Sequence, residues 1–319
     1  MARVGFHDIT EILQAAESWR DRCLLKDGSM FSDVSLWHLK NLNELDKYFI
    51  QNYLDDKRTF YEKLKIQLEP APSDLYKLAA EMLWVYMLFP SKITSNKKSA
   101  DIIMVWDCSG DKLHPQNKYL LAPLEKGIGH TGAAYNTGRF YELSFFIQAM
   151  EDWKSKPEDK QQSLIADPWK FGDWLYGLKG AEKRQLRHIL VYLLFPDYFE
   201  RIASRDHKGK IVDAFHDEII EDKPFESGDL TLSESLKIDW QLYEIRKSLE
   251  SKHPGDKLDF YKFPLEEKWL KKIKIIQVDK KIASEINLLI KKKQIIFYGP
   301  PGTGKTFNTK VVALSLLKN

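Results

Sequence analysis

Cysteine and long apolar runs are both scarce in this 319-residue chain. The two cysteines, Cys23 and Cys108, lie far apart and match no metal or redox spacing, so nothing supports a disulfide framework or a cysteine-based zinc site. The longest apolar runs, such as residues 189–195, are too short to cross a bilayer, and the N-terminus lacks the apolar core of a signal peptide. We therefore expect a protein of the reducing cytoplasm with no membrane contact.

No acidic residue follows Glu285 in the sequence. Residues 271–293 carry eight lysines against Asp279 and Glu285, a net +6, and residues 294–319 carry three lysines and no acidic residue, a net +3. Since the whole chain is +3, residues 1–270 carry −6. A body that coats nucleic acid is basic throughout, so any DNA contact there requires a local patch. A lysine-rich stretch is also typical of a solvated helix face.

Helical periodicity dominates residues 1–270. The content of 43% hydrophobic and 13% aromatic residues is ample for packed cores, and the length allows two domains. Apolar residues recur at three- and four-residue spacing in segments such as residues 74–89, and a strand-like run appears only at residues 102–106. We predict a mainly α N-terminal body with a small β component, an α+β fold, with possible subdomains at about 1–100 and 101–270.

One short sequence occurs twice. VYMLFP at residues 85–90 returns as VYLLFP at residues 191–196, each after an apolar helical approach. Proline cannot continue a helix, so both copies predict a helix exit with an aromatic side chain under the final turn. The flanking residues match poorly. Shared helix-end chemistry is therefore favoured over duplication, which requires self-similarity at a fixed period.

GPPGTGKT at residues 299–306 fits the phosphate-binding pattern GxxxxGK[ST]. Residues 294–298 before it predict a short buried parallel strand, and residues 307–318 after it have the apolar spacing of a helix. Glycines let successive backbone N–H groups face phosphates, and Lys305 is expected to reach the β and γ phosphates while Thr306 completes the Mg²⁺ shell. We predict a site for ATP or GTP with Mg²⁺ formed by Gly299, Pro300, Pro301, Gly302, Thr303, Gly304, Lys305 and Thr306.

The sequence around this loop resembles the AAA+ branch of P-loop NTPases, in which a helix, a strand and a GPPGTGKT loop are consecutive. Within that branch, IIFYGPPGTGKTF at residues 295–307 is similar to the McrB-type NTPases of modification-dependent restriction systems. Residues 186–215 are similar to regions that precede such modules. The resemblance implies that residues 1–270 are a sensing or interaction region that reads modified DNA or another invader signal. It also implies that residues 271–319 begin an AAA+ domain of a homo-oligomeric ring that works with a separate nuclease subunit.

The same resemblance implies that most of the AAA+ module follows residue 319. Its acidic Mg²⁺ residues, sensors and arginine finger belong to that later part, so we expect residues 1–319 to bind nucleotide with little or no hydrolysis. The alternative is a DNA- or protein-binding adaptor with a vestigial, non-hydrolysing loop. An open frame beyond residue 319 that encodes an apolar strand ending in Asp-Glu favours the motor.

For two weaker sequence patterns, a structural role or chance is favoured over a functional site. Gly127, Gly129 and Gly132 satisfy GxGxxG, but no clean strand precedes them, so a structural loop is favoured over a dinucleotide site. The acid-x-Lys pair of Glu158 and Lys160 lies in a polar stretch rather than on a buried strand beside a second carboxylate. Chance is therefore the better explanation, and a nuclease centre has no support.

Basic and aromatic side chains leave DNA contact open. The basic residues around the second VYLLFP form either a DNA phosphate patch or a mixed basic surface. Some aromatic side chains stack on a flipped base or, more commonly, pack in the core. The basic candidates are Arg184, Arg187, His188, Arg201, Arg205, His207, Lys208 and Lys210, and the aromatic candidates are Trp84, Tyr86 and Trp106.

Overall fold

The computed structural model describes residues 8–114, 117, 119–219, 233–270, 280–298, 300, 309, 312 and 313. The chain divides into two compact units, Met1–Leu265 and Glu266–Asn319. The helices of the described residues are α1 (Thr10–Trp19), α2 (Leu39–Leu45), α3 (Phe60–Leu68), α4 (Ser73–Leu88), α5 (Ser95–Asp107), α6 (Gly132–Thr137), α7 (Arg139–Lys154), α8 (Glu158–Ile165), α9 (Pro168–Gly177), α10 (Leu186–Leu194), α11 (Arg205–Ala214), α12 (Glu234–Lys252), α13 (Leu265–Trp269) and α14 (Lys280–Lys292).

Two helices, α4 and α10, form the centre of the larger unit. Residues 75–88 of α4 are all buried, and so are all nine residues of α10. A helix that is buried on every side has no solvent face and must be covered by other elements all round. Accordingly α4 packs against α2, α5 and α7, while α10 packs against α1 and α9.

The repeated hexapeptides are helix exits, which confirms the prediction from proline. Helix α4 ends at Leu88 and α10 ends at Leu194, in each case two residues before the proline. Phe89 after the first exit is buried, and its ring packs edge-on against the ring of Tyr192, with centroids 6.2 Å apart. The first exit therefore packs against α10, whereas Phe195 after the second exit is half-buried and packs against Phe171, with ring centroids 5.3 Å apart.

The predicted β component of the N-terminal body is wrong. Among the described residues there is no strand, and the β pairing reported is an isolated bridge between Pro90 and Gly129. The run at residues 102–106 lies inside α5, where Ile102, Val105 and Trp106 are buried at helical spacing. A short apolar run fits a buried strand and a buried helix equally well, and here the helical neighbours decided the outcome.

The predicted strand before the phosphate-binding motif is also wrong. Residues 294–298 form no ladder, and Ile296 and Tyr298 are 87% and 99% exposed. A strand exists only through hydrogen bonds to a neighbouring strand, and the described residues provide none. The helix–strand–loop–helix order expected of an α/β module is therefore not what the structure contains in this part.

Candidate functional site

Most of the predicted nucleotide site lies outside the described residues. This holds for Gly299 and for Pro301, Gly302, Thr303, Gly304, Lys305 and Thr306. Pro300 is described and is exposed. The structure therefore bears on the site through the segments on either side of the motif.

Both flanks of the motif meet one helix. Ile286 of α14 and Val312, six residues after the motif, are buried together. Leu289 of α14 and Phe297, two residues before the motif, pack against that pair. Residues that precede and follow the motif in sequence therefore contact α14 through one small apolar cluster.

The lysines next to the motif mark a helix end. Lys291 and Lys292 are the last residues of α14, and Lys293 follows with φ of 62°, a left-handed conformation that stops the helix. All three are exposed. Cations at a helix C-terminus interact favourably with its partial negative charge, so their placement has a local electrostatic reason.

The basic candidates around the second VYLLFP do not form one exposed phosphate patch. Arg187, His188 and Lys208 are buried. Arg201 is paired with the buried Asp259, and Lys210 Nζ donates to Asp206 at 2.6 Å. Since three of these side chains are inside the protein and two are ion-paired, as a group they form neither a DNA phosphate patch nor a mixed basic surface. The other three candidates also have local contexts: Arg184 lies over the Tyr141 ring, His207 Nδ1 is 3.0 Å from the Tyr261 hydroxyl, and Arg205 is exposed.

Instead, three of these side chains form a buried polar cluster with Tyr176 and Asp239. Lys208 Nζ donates to Asp239 Oδ1 at 2.6 Å, and the Tyr176 hydroxyl donates to Asp239 Oδ2 at 2.8 Å. His188 Nδ1 lies 2.7 Å from the Tyr176 oxygen. The guanidinium of Arg187 lies over the Tyr176 ring, 4.8 Å from its centroid. The cluster therefore links α9, α10, α11 and α12.

Both nitrogens of the His188 ring lie against donors. Arg187 Nε is 3.4 Å from Nε2, and Lys208 Nζ is 3.0 Å from Nδ1, which is also 2.7 Å from the Tyr176 oxygen. A lysine ammonium only donates, so a proton on Nδ1 would face another donor. The Lys208 ammonium and the Tyr176 hydroxyl both donate to Asp239, so the hydrogen bonds of the cluster converge on one carboxylate.

Burial controls the charges of the cluster. Burial, together with the nearby Lys208 and Arg187, holds the pKa of His188 well below its usual value, so the imidazole is neutral. Burial and the adjacent Asp239 raise the pKa of Tyr176 well above its usual value, so the phenol keeps its proton. The His188 imidazole is thus neutral and the Tyr176 phenol is protonated. Buried among charged side chains, they form a structural hydrogen-bond network rather than a solvent-accessible acid–base site.

The GxGxxG segment is a structural loop. A Cβ at Gly127 would lie 2.4 Å from the Pro90 carbonyl oxygen, and Gly129 N donates to the Phe89 carbonyl at 3.1 Å. Gly132 has φ of +72°, which favours glycine. The glycines thus allow close packing against the first helix exit, which accounts for the pattern without a dinucleotide.

The three aromatic candidates belong to the core, which confirms the commoner interpretation. Trp84, Tyr86 and Trp106 are all buried. Tyr86 stacks on Tyr135 with ring centroids 4.2 Å apart, and each hydroxyl donates to the backbone carbonyl of the other residue, at 2.6 and 3.3 Å. None of the three is available to a base in this structure.

Sequence reasoning missed Tyr176 and Asp239. A signal for Asp239 was present, because it lies three residues after Leu236 and three before Leu242, both fully buried, and so on the apolar face of α12. A carboxylate on such a face requires a buried partner. The identity of that partner, Lys208 on α11, depends on how the two helices pack.

The described residues contain no cluster of histidine, cysteine, aspartate or glutamate suited to a metal ion, and within them Cys23 and Cys108 are free thiols. None of the described helices is long and apolar enough to cross a membrane. No protein-family model matches the chain, and searches of curated proteins and of solved structures return no match either.

Proposed function

We propose that this chain binds a nucleoside triphosphate with Mg²⁺ through residues 299–306, as the NTPase subunit of a McrB-like DNA restriction or anti-phage defence system. The sequence GPPGTGKT carries the proposal. Its glycine positions, the lysine and the hydroxyl residue have the spacing that a backbone cradle for phosphates requires. The apolar cluster of Ile286, Phe297 and Val312 supports the proposal, since residues that precede and follow the motif in sequence contribute to it.

Each polar residue of the motif has a defined part in this proposal. Lys305 neutralises charge on the β and γ phosphates, and the Thr306 hydroxyl binds the Mg²⁺ that accompanies them. Backbone N–H groups of the glycine-rich segment donate to phosphate oxygens. Because all these contacts involve phosphate, the motif accepts ATP and GTP alike. Mg²⁺ supplies further charge neutralisation when it is bound with the nucleotide.

The unit Met1–Leu265 is the proposed sensing or interaction region. Its core is helical and includes α4 and α10, which are distant in sequence from the phosphate-binding motif. In the proposed assembly it recognises DNA or a protein partner, while the motif-bearing part forms a homo-oligomeric ring and works with a nuclease subunit. The alternative is a binding adaptor whose loop no longer holds nucleotide tightly.

A titration with fluorescent ATP and GTP analogues in the presence of Mg²⁺ tests the proposal. We expect both analogues to bind, and Lys305→Ala to weaken binding by about ten- to a hundredfold, the value of charged hydrogen bonds lost from a phosphate site. Lys310→Ala is the matched control, since it removes a lysine from the same segment outside the motif. It should leave the dissociation constant nearly unchanged.

Two results would argue against nucleotide binding through the motif. One is the absence of saturable binding of either analogue, which favours the adaptor. The other is an equal loss of affinity in the Lys305→Ala and Lys310→Ala variants. Equal losses would mean that the lysine-rich segment attracts nucleotides only through its general charge.

A further inference from the structure

A cleft of about 200 Å³ opens in the unit Met1–Leu265, and no residue of the motifs named above lines it. On one side it is lined by α3 and by residues 49–58, which precede that helix. On the other side lies the elbow between α6 and α7, where Gly138 ends one helix and begins the next. The cleft is therefore formed between elements far apart in the chain.

Aromatic rings form the walls of this cleft. The Tyr53 and Phe140 rings lie 4.6 Å apart at 48°, and the Phe49 and Phe140 rings lie 4.9 Å apart at 45°. These tilted pairs leave ring faces without a parallel partner. Tyr53 is 45% exposed and Tyr141 is 52% exposed. A flat ligand ring that stacked there would bury apolar surface that now faces water.

Two cations also line the cleft, and no carboxylate does. Arg58 and Lys63 share one nearby acid, Asp56: Arg58 Nε donates to Asp56 Oδ2 at 2.9 Å, and Lys63 Nζ lies 3.7 Å from Asp56 Oδ1. Glu62, whose side chain accepts from Thr59 at the start of α3, also acts on the charge of Arg58. The nearby acids therefore balance the two cations, but the cations line the cleft and the acids do not, so a ligand in the cleft meets the positive side chains.

The aromatic wall is held in place before any ligand arrives. The buried Gln67 donates both N–H bonds of its carboxamide, to the carbonyls of Phe49 and Asn52, each at 2.8 Å. The hydroxyl of Tyr53 is hydrogen-bonded to Tyr141, which raises the pKa of Tyr53. A preformed wall binds a ligand with little loss of conformational entropy.

The size of the cleft and the charges that line it restrict which ligands fit. A cleft of about 200 Å³ is smaller than the roughly 300–1,000 Å³ typical of drug-sized ligands, so it suits one ring system. Arg58 and Lys63 disfavour a cation and favour an anionic substituent. We propose that this cleft binds a single planar aromatic ring that carries a carboxylate or phosphate, with the ring on Tyr53 and Phe140 and the anion at Arg58 and Lys63.

Three ligands of one shape test the proposal on the full chain. Benzoate, benzamide and benzamidine place an anionic, a neutral and a cationic group on the same ring. Ligand-observed NMR titration should give the affinity order benzoate, then benzamide, then benzamidine. Uridine 5′-monophosphate forms the phosphate arm: tighter binding than benzoate through the same residues assigns the anion as phosphate, and weaker binding assigns it as carboxylate. Equal affinity for benzamide and benzoate, or strongest binding of benzamidine, overturns the proposal.

Variants locate the site, and circular dichroism verifies that each one folds. Tyr53→Ala should weaken benzoate binding about two- to tenfold, as expected from loss of an aromatic contact. Its control, Tyr198→Ala, removes a similarly exposed tyrosine outside the cleft. Lys63→Gln should weaken binding up to about fivefold, and less at high salt. Its control is Lys47→Gln, since Lys47 lies 5.8 Å from the Tyr48 ring much as Lys63 lies 5.9 Å from the Tyr53 ring.

The nucleotide loop supplies an independent control. Lys305→Ala should leave benzoate and uridine monophosphate binding unchanged, because the cleft does not depend on the proposed phosphate site. Loss of cleft binding in Tyr53→Ala and Lys63→Gln, but not in their controls, supports the proposal. Equal effects in the cleft variants and their controls overturn it. Failure of the nucleotide titration alone leaves this result unaffected, so the two proposals fail separately.

Discussion

Asp239 is the residue on which the buried polar cluster depends. Its two carboxylate oxygens accept hydrogen bonds from Lys208 at 2.6 Å and from Tyr176 at 2.8 Å. Both Asp239 and Lys208 are about 99% buried, so water cannot replace either bond. Asp239 and Glu182 also offset the charge of the neighbouring buried Arg187. Removal of the Asp239 charge therefore leaves the buried Lys208 without its ion-pair partner and weakens the compensation of Arg187.

We predict that Asp239→Asn lowers the free energy of unfolding by about 3–5 kcal/mol, the cost of breaking a buried ion pair on one side. Urea unfolding followed by circular dichroism measures this. Asp213→Asn is the control, because Asp213 is exposed on α11 and its change should stay within about 0.5 kcal/mol.

A second variant separates charge from packing in the same cluster. Adding Lys208→Met to Asp239→Asn removes the stranded ammonium. The double variant should therefore lose less stability than the sum of the two single variants. Additive losses would contradict the view that Asp239 acts chiefly as the counter-charge of Lys208.

At the scale of structural elements, the chain that leaves α4 packs tightly against a second segment of the chain. The loop that contains Gly127 packs against the chain that leaves α4, and a Cβ at Gly127 would meet the Pro90 carbonyl oxygen at 2.4 Å and Ser91 Cα at 2.5 Å. Both obstacles are backbone atoms, which cannot rotate away. Glycine is thus required at this position by close approach of two chain segments.

We predict opposite effects for two glycine-to-alanine substitutions. Gly127→Ala should destabilise the protein by about 1–3 kcal/mol, as overpacking does. Gly209→Ala should stabilise it by up to about 1 kcal/mol, because Gly209 lies within α11, a Cβ there meets nothing within 4 Å, and alanine has the higher helix propensity. Thermal unfolding of both variants provides the comparison. Destabilisation of similar size in both would refute the role given to the Gly127 contact.

Sequence alone predicted some of these elements for sound physical reasons. The helical spacing of residues 74–89 and the prolines after Phe89 and Phe195 define where α4 and α10 run and stop. The predicted strands failed because residues 102–106 and 294–298 are short apolar runs, and only the neighbours of such a run decide its conformation. Local patterns carry no information about those neighbours.

The two candidate sites also differ in whether the sequence alone predicts them. GPPGTGKT can be recognised from the sequence because the phosphate binding proposed for it depends on fixed spacing within eight residues. The aromatic cleft could not be predicted from the sequence, since Tyr53 and Phe140 are 87 positions apart and meet only where the segment before α3 packs against the start of α7. The burial of Lys208 could not be predicted either, because it also depends on how the helices pack.

At the scale of the whole molecule, charge is distributed unevenly along the chain. Residues 271–319 are strongly basic while residues 1–270 carry −6. A polyanion such as a nucleoside triphosphate is therefore attracted to the basic part even without specific contacts. General attraction of this kind is screened over about 8 Å at physiological ionic strength, whereas contacts inside a phosphate cradle persist. A titration at raised salt concentration thus distinguishes binding in a phosphate cradle from general charge attraction.

Binding of inorganic tripolyphosphate with Mg²⁺ tests the central claim most directly, because it contains the phosphates without a base. Isothermal titration calorimetry at 0.15 M or higher salt should show one site on the wild-type chain, weakened about tenfold or more by Lys305→Ala and unchanged by Lys310→Ala. No binding of tripolyphosphate, or equal binding by the wild-type and Lys305→Ala chains, would contradict a phosphate cradle at residues 299–306.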